Sequence, residues 1–155
     1  MARFRYRMQG ILEVKMKLEN QAKQEFAAAK IALDEEIEKL SAIQERKTAY
    51  EQEAKTLLQG VLRVQEISDN KAAILKMDEY IALQELEIKR AEEAFERAQQ
   101  KLQEVMQERK MHEKLKEKAF DAFLEEEKKQ EGKEVDELTS YTYGQRIADG
   151  NRKKE

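Results

Sequence analysis

Apolar side chains recur every seven residues through the second half of the chain, at Ile67, Ile74, Ile81, Ile88, Phe95 and Leu102. Seven residues is two helical turns, so these side chains line one narrow seam of one long helix. Met77, Ala91, Ala98, Val105 and Ala119 fill the alternate places. The seam turns polar at Arg109, His112 and Lys116, then becomes apolar again at Ala119 and Phe123. The first half carries a related pattern. Ile11, Leu12 and Leu18 open an apolar face with Met16 beside it, and Phe26, Leu33 and Leu40 continue at sevens with Ile37 between the last two. Ile43, Tyr50, Leu57 and Val64 follow, with Ala54 and Val61 in the intervening places. The step of three from Leu40 to Ile43 reads as a stammer, which overwinds a coil locally without ending its helix.

The pattern breaks best at about 66–70, where Ser68, Asp69 and Asn70 are the strongest cap and turn residues in mid-chain. Gly60 is a weaker candidate, since a lone glycine inside a helix costs about 1 kcal/mol and is tolerated. The expectation is one coiled-coil domain over 1–155, with a first helix over about 3–65 and a second over about 70–140. A flexible tail over about 141–155 carries Gly144 and Gly150. Two long helices joined by a short turn run antiparallel, so the predicted fold is all-α, a long two-helix antiparallel coiled-coil hairpin. Facing residues should have numbers adding to about 131–134, given the short connection. That register sets Leu57 near Ile74, Tyr50 near Ile81 and Ile43 near Ile88. Each buried Ile or Leu contributes roughly 1.5–3 kcal/mol, and sixty helical residues span about 90 Å. A parallel dimer of one long helix is the competing geometry, and the turn residues disfavour it.

Composition agrees. The 155 residues include no proline, and 41% are charged while only 6% are aromatic. Too little large apolar material remains for a thick core, but paired helices need less. With 30 basic and 33 acidic residues the net charge is −3, which argues against a general nucleic-acid binder. The absence of cysteine excludes disulfides and thiolate chemistry. No apolar run approaches the roughly 18 residues of a membrane span. The basic N-terminus is followed by no apolar signal core, so the cytoplasm is the expected compartment.

Candidate chemistry is sparse. His112 is the lone histidine, with no second histidine or cysteine at ligand spacing, and reads as a polar seam residue. The five glycines form no phosphate loop, and no nucleophile–base–orienter set stands out. The chain reads as non-enzymatic, with no cofactor and no metal. Its candidate residues are for partner binding. Arg109 and Lys116 interrupt the seam either to fix register, as polar seam residues do, or to leave a loosened end that a partner grips. Arg3, Arg5 and Arg7 alternate with Phe4 and Tyr6, either as a frayed start or as a basic, aromatic tip. Such a tip would meet an acidic protein surface or anionic lipid. Tyr80 lies beside the seam, and tyrosine is enriched at interaction hot spots.

Four segments resemble one family. Arg-Phe-Arg-Tyr-Arg-Met-Gln-Gly-Ile-Leu-Glu-Val-Lys (3–15) resembles the start of FliJ, a component of the bacterial flagellar type III export apparatus. Met77-Asp78-Glu79-Tyr80-Ile81-Ala82-Leu83 looks like the family's aromatic–Ile segment after the turn. The charged stretch from Glu108 to Lys118 and the run Lys133-Glu134-Val135-Asp136-Glu137 are similar to its two later signatures. The resemblance implies a two-helix antiparallel coiled coil similar to the central stalk of rotary ATPases. Its implied partners are the flagellar export ATPase hexamer, the membrane export gate protein and export chaperones, with no nucleic acid and with possible peripheral membrane association. It implies a cytoplasmic protein at the membrane face of the flagellar base that serves motility and hydrolyses nothing itself. The chain ends are expected near the ATPase and the turn-proximal segment, with Tyr80, near the gate. The rivals are the stalk of a related virulence-type secretion ATPase and a generic coiled-coil scaffold or membrane-surface protein.

Overall fold

The computed structural model describes residues 2–152. Helix α1 runs over Gln9–Leu57 and helix α2 over Val64–Arg152. No strand occurs among the described residues. The fold is all-α, two helices packed against each other as a hairpin, as the heptads predict.

The connection differs from the expected one. It occupies residues 58–63, not 66–70, and its pivot is Gly60 at φ +76°. That left-handed conformation is what glycine supplies after a helix end. The Gln59 N–H donates to the Thr56 carbonyl at 3.1 Å, closing the last turn of α1. Lys55 in that turn suits the negative end of the helix dipole. Helix α2 then starts before the Ser-Asp-Asn run, with the Ile67 N–H donating to the Arg63 carbonyl at 3.1 Å. Arg63 and Glu66 pair at 3.1 Å across this first turn.

Asn70 serves the helix pair instead of a turn. It is buried, and its side-chain amide donates to the main-chain carbonyl of Tyr50 at 2.9 Å. Asp69 accepts from the Gln65 side chain four residues earlier. Val61 and Val64, expected on the seam, are exposed because they lie at the connection and the start of α2.

From Leu12 onward the protected positions of α1 are 12, 15, 19, 22, 26, 29, 33, 36, 40, 43, 47, 50, 54 and 57. The alternation of threes and fours never breaks, so there is no stammer. Ile37 is exposed, and the seam place belongs to Glu36. In α2 the same alternation runs from Ile67 to Phe123 and includes Asn70, Gln84, Arg109, His112 and Lys116. The seam is one side chain wide, so few residues are covered on every side: among the hydrophobics of the described residues, only Leu12, Ala22 and Met77.

The chain divides into two compact units, Lys17–Met106 and Met1–Met16 with Gln107–Glu155. In the first, Phe26 and Phe95 pack with ring centroids 5.0 Å apart, and Gln84 donates its amide to the Glu36 carbonyl at 2.8 Å. Lys47 pairs with Asp78 at 2.6 Å and Lys101 with Glu25 at 2.9 Å. Facing residues thus have numbers adding to about 120–126, not 131–134, because α1 ends earlier and the connection centres near Gly60. Tyr50 faces the Asn70 level, not Ile81. Both Asn70 and Ile81 hold seam positions, so a shift from one to the other keeps seam against seam, which is why the apolar pattern alone does not reveal it.

In the other unit, Phe4 packs its ring on Phe120 at 5.1 Å and on Phe123 at 5.4 Å, and Lys15 pairs with Glu108 at 2.8 Å. Beyond Glu127, α2 continues with every described residue exposed. The flexible tail expected from about 141 is therefore helical through Arg152; residues 153–155 lie outside the described residues. Thr139 and Thr142 turn their hydroxyls back onto the carbonyls of Val135 and Leu138, so they leave the helix intact.

Candidate partner-binding surface

The N-terminal segment, residues 2–8, precedes α1 and lies along α2. Its alternation has a structural cause. An extended chain sends successive side chains to opposite sides. Phe4 and Tyr6 are half-buried, while Arg3, Arg5 and Arg7 are exposed. The Gln9 N–H donates to the Tyr6 carbonyl at 3.1 Å and the Leu12 N–H to the Met8 carbonyl at 3.1 Å, so the segment runs directly into α1.

Three of the predicted residues meet here. Arg3, Arg5 and Lys116 line one open groove of about 500 Å³, together with Phe4, Tyr6 and Gln9. Two polar atoms of this lining, the Tyr6 hydroxyl and Gln9 Oε1, are buried without a hydrogen-bond partner among the described residues. A buried polar atom left unpaired costs roughly 1–3 kcal/mol, so these two suit an incoming polar group. An adjoining groove of about 470 Å³ is more apolar, lined by Phe4, Leu12, Met16 and Phe120, with Glu113, Lys116 and Glu117 at its edge. Lys116 borders both. The arrangement offers cations beside aromatic faces, which suits a carboxylate- or phosphate-bearing surface and carries no set of groups for covalent chemistry.

The other predicted residues stand apart from the groove. Arg7 is exposed on the same segment outside the groove lining. Arg109 is 19% exposed and pairs with Glu113 at 2.8 Å, so its guanidinium is engaged within the unit. Tyr80 belongs to the other unit, where the residue is 39% exposed and Lys76 Nζ stands 5.3 Å from its ring centroid. The hydrogen bond and charge of Glu79 hold the Lys76 ammonium above its ordinary range. Gln9 and Tyr6 did not stand out in the sequence as polar lining. Their signal is the alternation itself, which sends Tyr6 to the same side as Phe4.

Among the described residues no group of three or more His, Cys, Asp or Glu side chains could hold a metal ion. None of their helices is long and apolar enough to cross a membrane.

Known proteins add the following. The family described as flagellar FliJ protein matches residues 4–148. No curated protein matches. A solved structure from Chlamydia trachomatis, described as a YscO homolog, is 22% identical. The alignment covers 99% of this chain and 100% of that one, with a TM-score of 0.58. At that identity the likeness is one of fold. The family match takes in the aromatic–basic start, the Tyr80 segment, the charged stretch around Lys116 and the Asp-Glu run, and on that extent the chain belongs to the FliJ family of flagellar proteins.

Proposed function

We propose that the chain is a non-catalytic stalk and adaptor of the bacterial flagellar type III protein export apparatus. In this reading it binds the export ATPase ring, promotes the ring's assembly and activity, and links it to the membrane export gate and to export chaperones. It works in the cytoplasm at the membrane face of the flagellar base. Family membership supports the reading. The observation that carries it furthest is the convergence of Arg3, Arg5 and Lys116 on one groove beside Phe4. Exposed cations of this kind make contacts worth about 0–1 kcal/mol each, weak enough to be renewed against successive subunits of a ring. Tyr80, exposed beside its seam, is the residue assigned to the export gate.

The test is capture of the purified cognate export ATPase by the immobilised chain. Retention that falls when Arg3, Arg5 and Lys116 are changed to Ala supports the reading; no retention of the ATPase by the unaltered chain removes it. A second reading takes the same basic groove to an anionic lipid surface. Co-sedimentation with phosphatidylserine vesicles, lost in the same triple variant and unaccompanied by ATPase capture, would favour it. The fold likeness to a YscO homolog keeps a virulence-type secretion ATPase as the alternative partner. Capture compared between a flagellar and a virulence-type ATPase distinguishes the two.

A further inference from the structure

The exposed extension of α2 carries a second face that α1 does not serve. The intramolecular seam ends at Phe123, and its continuation through Gln130, Lys133, Glu137 and Gly144 is polar or small. About half a turn around the helix, steps of three and four residues join Lys128, Glu131, Val135, Leu138, Thr142, Arg146 and Asp149, with Arg146 one place past the strict heptad position, which Gln145 holds. Val135 and Leu138 are 58% and 66% exposed. With Thr139, Thr142, Tyr143 and Arg146 they line a shallow groove of about 380 Å³. The hydroxyls of Thr139 and Thr142 are bonded back to their own helix, so that satisfied polar groups, not free ones, flank the apolar pair.

The charges on this line are ordered. Set antiparallel to a second copy and centred between residues 138 and 139, the line places Lys128 opposite Asp149 and Glu131 opposite Arg146. Val135 then meets Thr142, and Leu138 meets its counterpart across the two-fold axis. Each charge meets its opposite, and each does so twice, as a two-fold contact requires. A parallel pairing would set like charges against each other at all four levels. None of these four charged side chains is engaged in an ion pair among the described residues. The line from 128 to 149 is about 32 Å long at 1.5 Å per residue, six turns of helix.

We propose that this extension is a self-association surface, on which two copies of the chain pair antiparallel through residues 128–149. A copy engaged in this way withholds the Val135–Leu138 face from any other occupant.

Sedimentation equilibrium on the full chain tests this, with two charge variants. Lys128→Glu with Arg146→Glu makes the line wholly acidic, and Glu131→Lys with Asp149→Lys makes it wholly basic. The unaltered chain should approach a twofold rise in mass as concentration increases. Each variant alone should stay monomeric, and an equimolar mixture of the two should recover the doubled mass. The chain has no cysteine, so Leu138→Cys gives a single thiol at the axis. It should form an inter-chain disulfide under mild oxidation, and Glu137→Cys, on the opposite face, should not. A chain that stays monomeric leaves the stripe to a different protein and overturns the proposal. Association that survives in either charge variant, or variants that fail to pair with each other, overturn it as well.

Discussion

The side-chain amide of Gln84 donates both to the main-chain carbonyl of Glu36, at 2.8 Å, and to the Glu36 carboxylate, at 2.6 Å. Both residues hold seam positions, so a polar pair occupies a place where apolar side chains would bury more. Asn70 repeats the device against the carbonyl of Tyr50. Apolar heptads are nearly interchangeable under a whole-heptad slip, and an amide that must find a carbonyl is not.

Replacing Asn70 and Gln84 by Leu should therefore separate stability from uniqueness. Each substitution to Ala should cost about 1 kcal/mol in chemical denaturation. The Leu double variant should melt no lower than the unaltered chain, yet spin labels at exposed sites 46 and 79 should give a broadened or split distance distribution. A single sharp distance in that variant would show that register is held by something else.

Gly60 should be intolerant of a side chain although nothing lies within 4 Å of its Cβ position. The cost is conformational, since φ is +76° there. Gly60→Ala should lose about 1 kcal/mol in a denaturant titration. Gly10→Ala, inside α1 and equally uncrowded, should gain about 0.4–1 kcal/mol. Equal effects at the two sites would contradict the assignment of the turn.

Much of this was legible in the sequence, and the exceptions share a cause. The 67–102 seam declares two paired helices because every member is apolar. Ser68, Asp69 and Asn70 read as a turn because their side chains compete locally for backbone groups, but here Asn70 finds a carbonyl on the other helix. Ile37 reads as the seam residue in the sequence because a charged Glu36 looks exposed, whereas the partner of Glu36, Gln84, is twenty-four positions beyond the connection's pivot. The grooves at the N-terminal segment depend on Phe4 reaching Phe120, a long-range contact that no periodicity encodes.

Acid and base should each remove a different set of cross-helix contacts. The hydrogen bond from Gln84, and secondarily that from Lys39, holds the Glu36 carboxyl below its ordinary value of 4.5. Lys15, by hydrogen bond and charge, does the same for Glu108. A carboxyl with a lowered folded value contributes stability above its unfolded value, and that contribution disappears as pH falls through the folded value. The Lys47 ammonium is held above 10.5 by its hydrogen bond to Asp78 and that residue's charge, so its contribution is present below 10.5 and disappears as pH rises beyond it. Thermal melts should decline below about pH 4.5 and above about pH 10.5, with a plateau between. Glu36→Gln should shallow the acid limb alone. An unchanged acid limb in that variant would contradict the role given to the pair.

Phe4 should decide whether the basic segment stays docked. In Phe4→Ala, amide exchange at Gln9 and Leu12 should speed up about tenfold, the equivalent of losing roughly 1.4 kcal/mol of ring contact and burial. Exchange around Met77, in the other unit, should not change. Unaltered protection at Gln9 would mean that the groove holds its form without the aromatic contact.

The most direct test of the functional account is the turnover of the cognate flagellar export ATPase with and without this chain. The account predicts a higher rate and more hexamer on addition of the chain, and a much smaller gain when Arg3, Arg5 and Lys116 are all changed to Ala. An ATPase whose rate and oligomeric state are the same with and without the chain would contradict it.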